Sequence, residues 1–402
     1  MPRALAQLRQ TGIMKIDLGT LVRSALVGAL LVALPLGAGA LVPRTPLISL
    51  GEGGTSARTG LEQSADAKMM MPNPFTYNYV AGSGLDDSAG SGHVFQLQLI
   101  GEPEQILKNV AKVMGLTGQV TEPEYSTKEY PALSIGAQDG TAPSANIYFS
   151  GTGNWWYNNP AAYPTPDCGE WAIAEDGSKY CQSYKEQEPT PELMPSDSEL
   201  LKLAQQIFKA TGLEVAEKDI QISSNEWGAS AYASLKIDNQ DSPIEWSINW
   251  GTNGQIGSVS GHSVKAIDRG VFSTISAKAA VSRMSDWRYS GQLAQSVWAK
   301  YQPVGGGRVI AYDDIAVEPE SPTDPAVEPS GEPVPEPSPS EITVTINKSA
   351  SAQVMIWDKK GNAWIVPGYI LIGEEGWITP VFSLEDGIVE LPEPVEISPM
   401  VK

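Results

Sequence analysis

Cysteine and histidine are both scarce in this 402-residue chain, with two of each. That leaves little material for a Cys/His metal site, and it restricts any Ser-His-Asp machinery to His93 or His262. No H-E-x-x-H, P-loop, EF-hand loop or dinucleotide fingerprint occurs. No metal or cofactor is therefore expected. Basic residues are also short, 27 against 47 acidic, for a net charge of −20 and a pI near 4.5. A nucleic-acid partner needs a basic surface, so that class is excluded, and so is a body lying flat on anionic lipid. The acidity reads as solubility through mutual repulsion.

Charge is absent altogether from Ser24–Val42, SALVGALLVALPLGAGALV, while Arg3, Arg9, Lys15 and Arg23 precede it. Nineteen residues just cover a bilayer core of about 30 Å. Basic residues on the short side hold that side in the cytoplasm. The expectation is a single-pass anchor over 24–42, with residues 1–23 cytoplasmic and the rest outside. Ala38-Gly39-Ala40 also has the form of a signal-peptidase site, so secretion after cleavage following Ala40 is the alternative. Met14 is an alternative start. In the oxidising compartment that either reading implies, Cys168 and Cys181, thirteen apart, read as one local disulfide closing a hairpin.

Residues 43–92 are rich in Gly, Ser, Ala and Asp without a sustained period and read as a flexible stalk, with Pro74–Val80 docking on the body. Folded pattern starts at Val94. A first α+β unit over 93–190 has a strand near Phe95–Leu99, a helix with Ile106, Leu107, Val110, Val113 and Met114 on one face, and the cysteine hairpin. A second, over 191–317, opens with Ser196 and Glu199 at capping-box spacing. Its helix buries Leu200, Leu203, Ala204, Ile207 and Phe208, and strands with Ile244, Trp246, Ile248 and Trp250 on one face follow. Val110-Ala111 then Gly115-Leu116 matches Ile207-Phe208 then Gly212-Leu213 at identical spacing, which points to a diverged duplication. Residues 318–341 form an acidic, proline-rich linker, extended in the polyproline II manner. Residues 342–402 form a small β-rich unit that either stands alone or covers an edge of the body. The expected class is α+β: two diverged helix-plus-antiparallel-sheet units, a β-rich C-terminal unit and an N-terminal transmembrane helix.

Catalytic signals are thin. Gly257-Ser258-Val259-Ser260-Gly261 misses a nucleophile elbow because valine holds the central position. His262 reads as a strand-end residue and His93 as a solvated one. Acidic pairs are too common to identify a hydrolase acting through two acids. Aromatics are more suggestive, with eleven tryptophans against six phenylalanines. Trp155, Trp156, Tyr157, Asn158, Asn159 and Tyr163 combine flat rings with amides, a mixture suited to sugar or peptide recognition. The competing reading is that these rings cap the sheet and pack under the hairpin.

Val271–Asp286, VFSTISAKAAVSRMSD, resembles the PepSY-like modules of bacterial envelope proteins. The layout of anchor, stalk, YNYVAG entry, GTGNWWYNNPAAYP, Cys pair, second helix-sheet half, acidic linker and β tail resembles a group of single-pass actinobacterial envelope proteins. The resemblance implies regulation or inhibition of extracytoplasmic proteins, hence binding rather than catalysis, and carries over no catalytic residue. The expected function is a non-enzymatic binding or regulatory module contacting an envelope protein. Recognition of cell-wall glycan is the alternative, and a hydrolase the third reading.

Overall fold

The period-2 alternation that dominates the sequence after residue 90 becomes two large sheets, beside which stand two two-stranded ones. The computed structural model describes residues 45–51, 75–174, 176–186, 188–301, 340–373, 376 and 378–394. The expected span at 24–42 and most of the 318–341 linker lie outside these. Among the described residues no helix is long and apolar enough to cross a membrane. The protein is α+β, with far more strand than helix.

In chain order, β1 (Ile48–Ser49), β2 (Phe75–Ala81) and β3 (Gly90–Leu99) lead to α1 (Pro103–Val113). Then come β4 (Ala132–Gly136), β5 (Ser144–Tyr148) and β6 (Trp155–Asn158), followed by the hairpin β7 (Cys168–Ile173) and β8 (Lys179–Tyr184). The second half runs α2 (Asp197–Ala210), β9 (Gln221–Asn225), β10 (Gly228–Ile237), β11 (Gln240–Trp250), β12 (Ile256–Gly261) and β13 (Val264–Thr274). Two short helices, α3 (Ala277–Ala280) and α4 (Gln295–Tyr301), precede β14 (Ser340–Trp357), β15 (Ala363–Gly373), β16 (Ile378–Phe382) and β17 (Val389–Glu390).

Strands from both halves make one antiparallel sheet of seven, in the order β4-β5-β6-β12-β11-β10-β9. The halves meet where β6 pairs with β12. Helices α1 and α2 cover one face, and Asn109 Nδ2 donates to the Ala210 carbonyl at 2.8 Å, tying the two together. They end alike. Gly115 (φ 67°) and Gly212 (φ 110°) turn the chain in the left-handed region. Leu116 N–H then donates to Ala111 O, and Leu213 N–H to Phe208 O, both at 2.8 Å. This 6→1 closure is the Schellman motif, and the glycine is needed because a side chain is strained at that φ. The capping box read at Ser196 and Glu199 is formed.

A second sheet runs β13-β3-β15-β14-β2, with β16 also on β15. The C-terminal strands thus sit in its middle. Two boundaries read from the sequence change as a result. Strands β14, β15 and β16 complete a sheet of the body rather than forming a unit of their own, and residues 75–81 of the expected stalk are a strand paired in parallel with β14. Lys348–Ser351 and Pro367-Gly368 break the apolar alternation of β14 and β15. Each is one strand, and β14 absorbs its polar stretch through a register shift between Ile346 and Lys348.

The hairpin β7–β8 is a two-stranded sheet by itself, closed by the Cys168–Cys181 disulfide. Trp171, Ile173, Tyr180 and Tyr184 on it are all exposed. Such a ribbon is marginal alone, and closing its loop contributes about 3 kcal/mol in the chain-entropy model. Because the hairpin leans little on the rest, that stabilisation is local. Replacing both cysteines with serine is expected to move the main thermal transition by no more than about 1–2 °C while amide exchange at Ala172 and Tyr180 accelerates sharply. Loss of the main transition would show that the hairpin supports the body.

Candidate functional site

With α1 and α2 on one face of the seven-stranded sheet, the other face is set by register alone. One row across it reads Ser134, Asn146, Trp156, Ser260, Ser247, Tyr232. The next reads Ser144, Asn158, Ser258, Asn249, Ser230. Neither row contains a charged side chain. Alternation produces this: Ile244, Trp246, Ile248 and Trp250 of β11 go into the core, so Ser247 and Asn249 between them face outward.

The polar groups are held in pairs. Ser247 Oγ lies 2.8 Å from Ser260 Oγ, and Asn249 Nδ2 donates to Ser258 Oγ at 3.0 Å. Ser134 Oγ donates to Asn146 Oδ1 at 2.7 Å, and Tyr125 OH donates to the same oxygen at 3.3 Å. At that end Tyr125, Tyr148 and Trp156 form a ring cluster with centroids 5.8 and 5.1 Å apart. Tyr125 and Tyr148 remain exposed, 48% and 36%.

At the other end a cleft of about 450 Å³ is lined by Tyr232, Pro243, Glu245, Ser247, Ser260, His262 and Gln295. Glu245 Oε1 accepts from the Gln295 N–H at 2.7 Å and from Ser234 Oγ at 3.1 Å. Burial raises the Glu245 carboxyl, against the lowering effect of those donors. His262 Nδ1 sits 2.9 Å from Thr152 Oγ1, and burial drives the imidazole down to about 4.

A pH dependence follows. With 6.5 as its ordinary value, the unfolded histidine binds a proton between pH 6.5 and 4 that the folded one refuses. Stability therefore rises with pH through that window and is lost as pH falls from 6.5 to 4, on the order of 3 kcal/mol. Glu245 acts the other way, since its raised value favours the folded state when protonated. The expected result is that His262→Gln flattens the loss of stability between pH 6.5 and 4, read by urea denaturation at stepped pH. An unchanged slope would mean that His262 ionises freely in the fold.

The six aromatic and amide residues singled out from the sequence do not come together. Trp156 and Asn158 lie on the open face. Trp155 is completely buried and Tyr157 nearly so, both in the core under α1, because adjacent strand residues point to opposite faces. Asn159 closes a short turn, its Oδ1 accepting from Ala161 N–H and its Nδ2 donating to Ile256 O. Tyr163 covers Gly257, where a Cβ would overlap its ring. The sequence reading missed Tyr125, Tyr148, Asn146, Ser247, Asn249, Ser258 and Ser260. Part of their signal was present, in that Ser247 and Asn249 of β11 and Ser258 and Ser260 of β12 alternate with apolar or small residues, with Glu245 as the charged member at one end. His93 is a member of β3, with Nδ1 3.0 Å from Asp268 Oδ2.

Serine, histidine and glutamate share the cleft, but the Nδ1 of His262 is held by a threonine hydroxyl rather than by a carboxylate. Ser247 and Ser260 are hydrogen-bonded to each other. A base oriented by an acid, which acyl transfer by a serine requires, is not assembled here.

No protein-family model and no curated protein matches the chain. Among solved structures it is similar to an uncharacterized protein from Eubacterium rectale ATCC 33656, at 10% identity over 78% of this chain and 88% of that one. The TM-score is 0.36, too remote a likeness to bear on function.

Proposed function

We propose that this chain is a non-enzymatic binding module of the bacterial envelope, held at the membrane through residues 24–42, and that its recognition surface is the open face of the seven-stranded sheet. One observation carries the reading: two uncharged rows of hydroxyl, amide and aromatic side chains run without interruption across strands of both halves. The part of that face from Trp156 to Asn249, which α1 and α2 do not cover and whose donors and acceptors are paired, is ready to meet a polar surface, while α4 closes its Glu245 end. The matching Schellman closures of α1 and α2 support descent of the halves from one duplicated helix-plus-sheet unit, which doubled the length of that face. The PepSY-like resemblance of Val271–Asp286 points to the same class of role.

The test is site-specific photo-cross-linking in intact cells. A cross-linker at Ser258, in the middle of the face, is expected to yield a reproducible adduct. One at Trp287, which is exposed elsewhere on the body, is expected to yield none. Equal labelling from both positions would refute the assignment of the face.

A further inference from the structure

We propose that the ligand crossing the open face is a neutral glycan, an inference that rests on the face being the recognition surface. Charge is the first argument. Both rows lack Lys, Arg, Asp and Glu, and the chain as a whole carries −20, so phosphorylated, sulfated and carboxylated polymers find no counter-charge and a net repulsion.

The second argument is the kind of contact on offer. Protein interfaces are anchored by apolar and aromatic side chains filling pockets. The middle of this face presents instead Asn158, Ser258, Ser260, Ser247 and Asn249, an area of fixed donors and acceptors without an apolar anchor. An extended peptide would add to a sheet edge through its backbone, whereas these groups stand on the face. Hydroxyl-rich sugars present matching donors and acceptors over their whole length, and their C–H faces stack on aromatic rings.

Rings are placed where such stacking needs them. Trp156 and Tyr148, with centroids 5.1 Å apart, flank one end of the hydroxyl-amide strip, and Tyr232 lies at the other end. Between β5 and β10 the strip crosses four inter-strand steps, about 19 Å, which suits an oligosaccharide rather than a single sugar. The pairs Ser247–Ser260 and Asn249–Ser258 already hold their groups in place, so little ordering remains to oppose binding.

The test uses the full chain in mild detergent, titrated with neutral hexasaccharides of glucose, xylose and N-acetylglucosamine, read by amide chemical shifts and tryptophan fluorescence. At least one is expected to bind, with shifts confined to β5, β6, β10, β11 and β12. Trp156→Ala and, independently, Asn249→Ala are expected to weaken it about tenfold, while Trp171→Ala on the separate β7–β8 hairpin leaves it unchanged. Absence of binding by every sugar, or binding indifferent to both face variants, overturns the glycan. If in that case the cross-linker at Ser258 still captures a protein, the face stands and only its ligand class falls. If it captures nothing, both fall.

Discussion

A chain ended before Ser340 is expected to yield no cooperatively folded protein, although it retains both helix-bearing halves and every strand of the seven-stranded sheet. The loss falls on the second sheet. Strands β14 and β15 stand between β3 and β2, so without them β2 has no partner strand and β3 keeps only β13. Ile346, Val354, Ile356, Ile365, Val366, Ile370, Leu371 and Phe382 are each at most 1% exposed. At about 1.5–3 kcal/mol apiece, their burial exceeds 12 kcal/mol, comparable with the ~5–15 kcal/mol that holds a whole domain folded. Polar ties go with them. Gln353 Nε2 donates to the Ile237 carbonyl at 2.6 Å, joining β14 to the first sheet, and the buried Arg283 donates to Phe382 O at 2.9 Å and Asp386 Oδ1 at 2.8 Å. Arg283 would lose both acceptors and the Phe382 ring that helps to enclose it. Supplying residues 340–402 as a second chain is expected to restore the fold, because the pairing is made by strands rather than by the linker. The checks are soluble yield and a calorimetric melt. A truncated chain that melts cooperatively at the full chain's temperature would show that the second sheet is not part of the body's stability.

How much of this was legible depended on the range of the interaction. Helices α1 and α2 were readable in detail, because their apolar faces, caps and terminal glycines are local. Ser196, Glu199, Gly115 and Gly212 act within one turn of where they stand. The disulfide was readable because two cysteines leave a single pairing. Strand content was readable from alternation, but strand partners were not. Nothing near Phe75–Ala81 or Ser340–Trp357 announces that two segments some 265 positions apart pair in parallel. The candidate site suffered most. A run such as Trp155-Trp156-Tyr157-Asn158 reads as a single cluster along the chain, whereas a strand sorts its members alternately onto two faces. The residues that do share a face, Trp156, Ser260 and Ser247, come from three strands and are joined only by register.

That sorting makes the neighbouring pair Trp155 and Trp156 the sharpest probe of the fold. Trp155→Ala is expected to destabilise the protein by about 3–5 kcal/mol, the cost of emptying a fully enclosed large aromatic site. For a body of this size that is a fall in Tm on the order of 6–20 °C. The site has no room to collapse inward cheaply. Its indole lies against Gly261, where even a Cβ would overlap Trp155 and Trp246, so this part of the core is packed around a missing side chain. Trp155→Phe is expected to cost far less, because the indole Nε1 has no hydrogen-bond partner among the described residues and its removal forfeits none. Trp156→Ala, one residue on, loses a ring packed at a tilt against Tyr148 at a half-buried surface and is expected to cost only about 1 kcal/mol. Calorimetry on the three variants reads the contrast directly. Equal, large losses at both positions would place Trp156 in a second core, covered by something other than solvent, and would remove the open face on which recognition depends. A large loss at Trp155 with a small one at Trp156 means that the ring is kept at the surface without being needed for stability, which is the expected pattern for a side chain that serves a ligand.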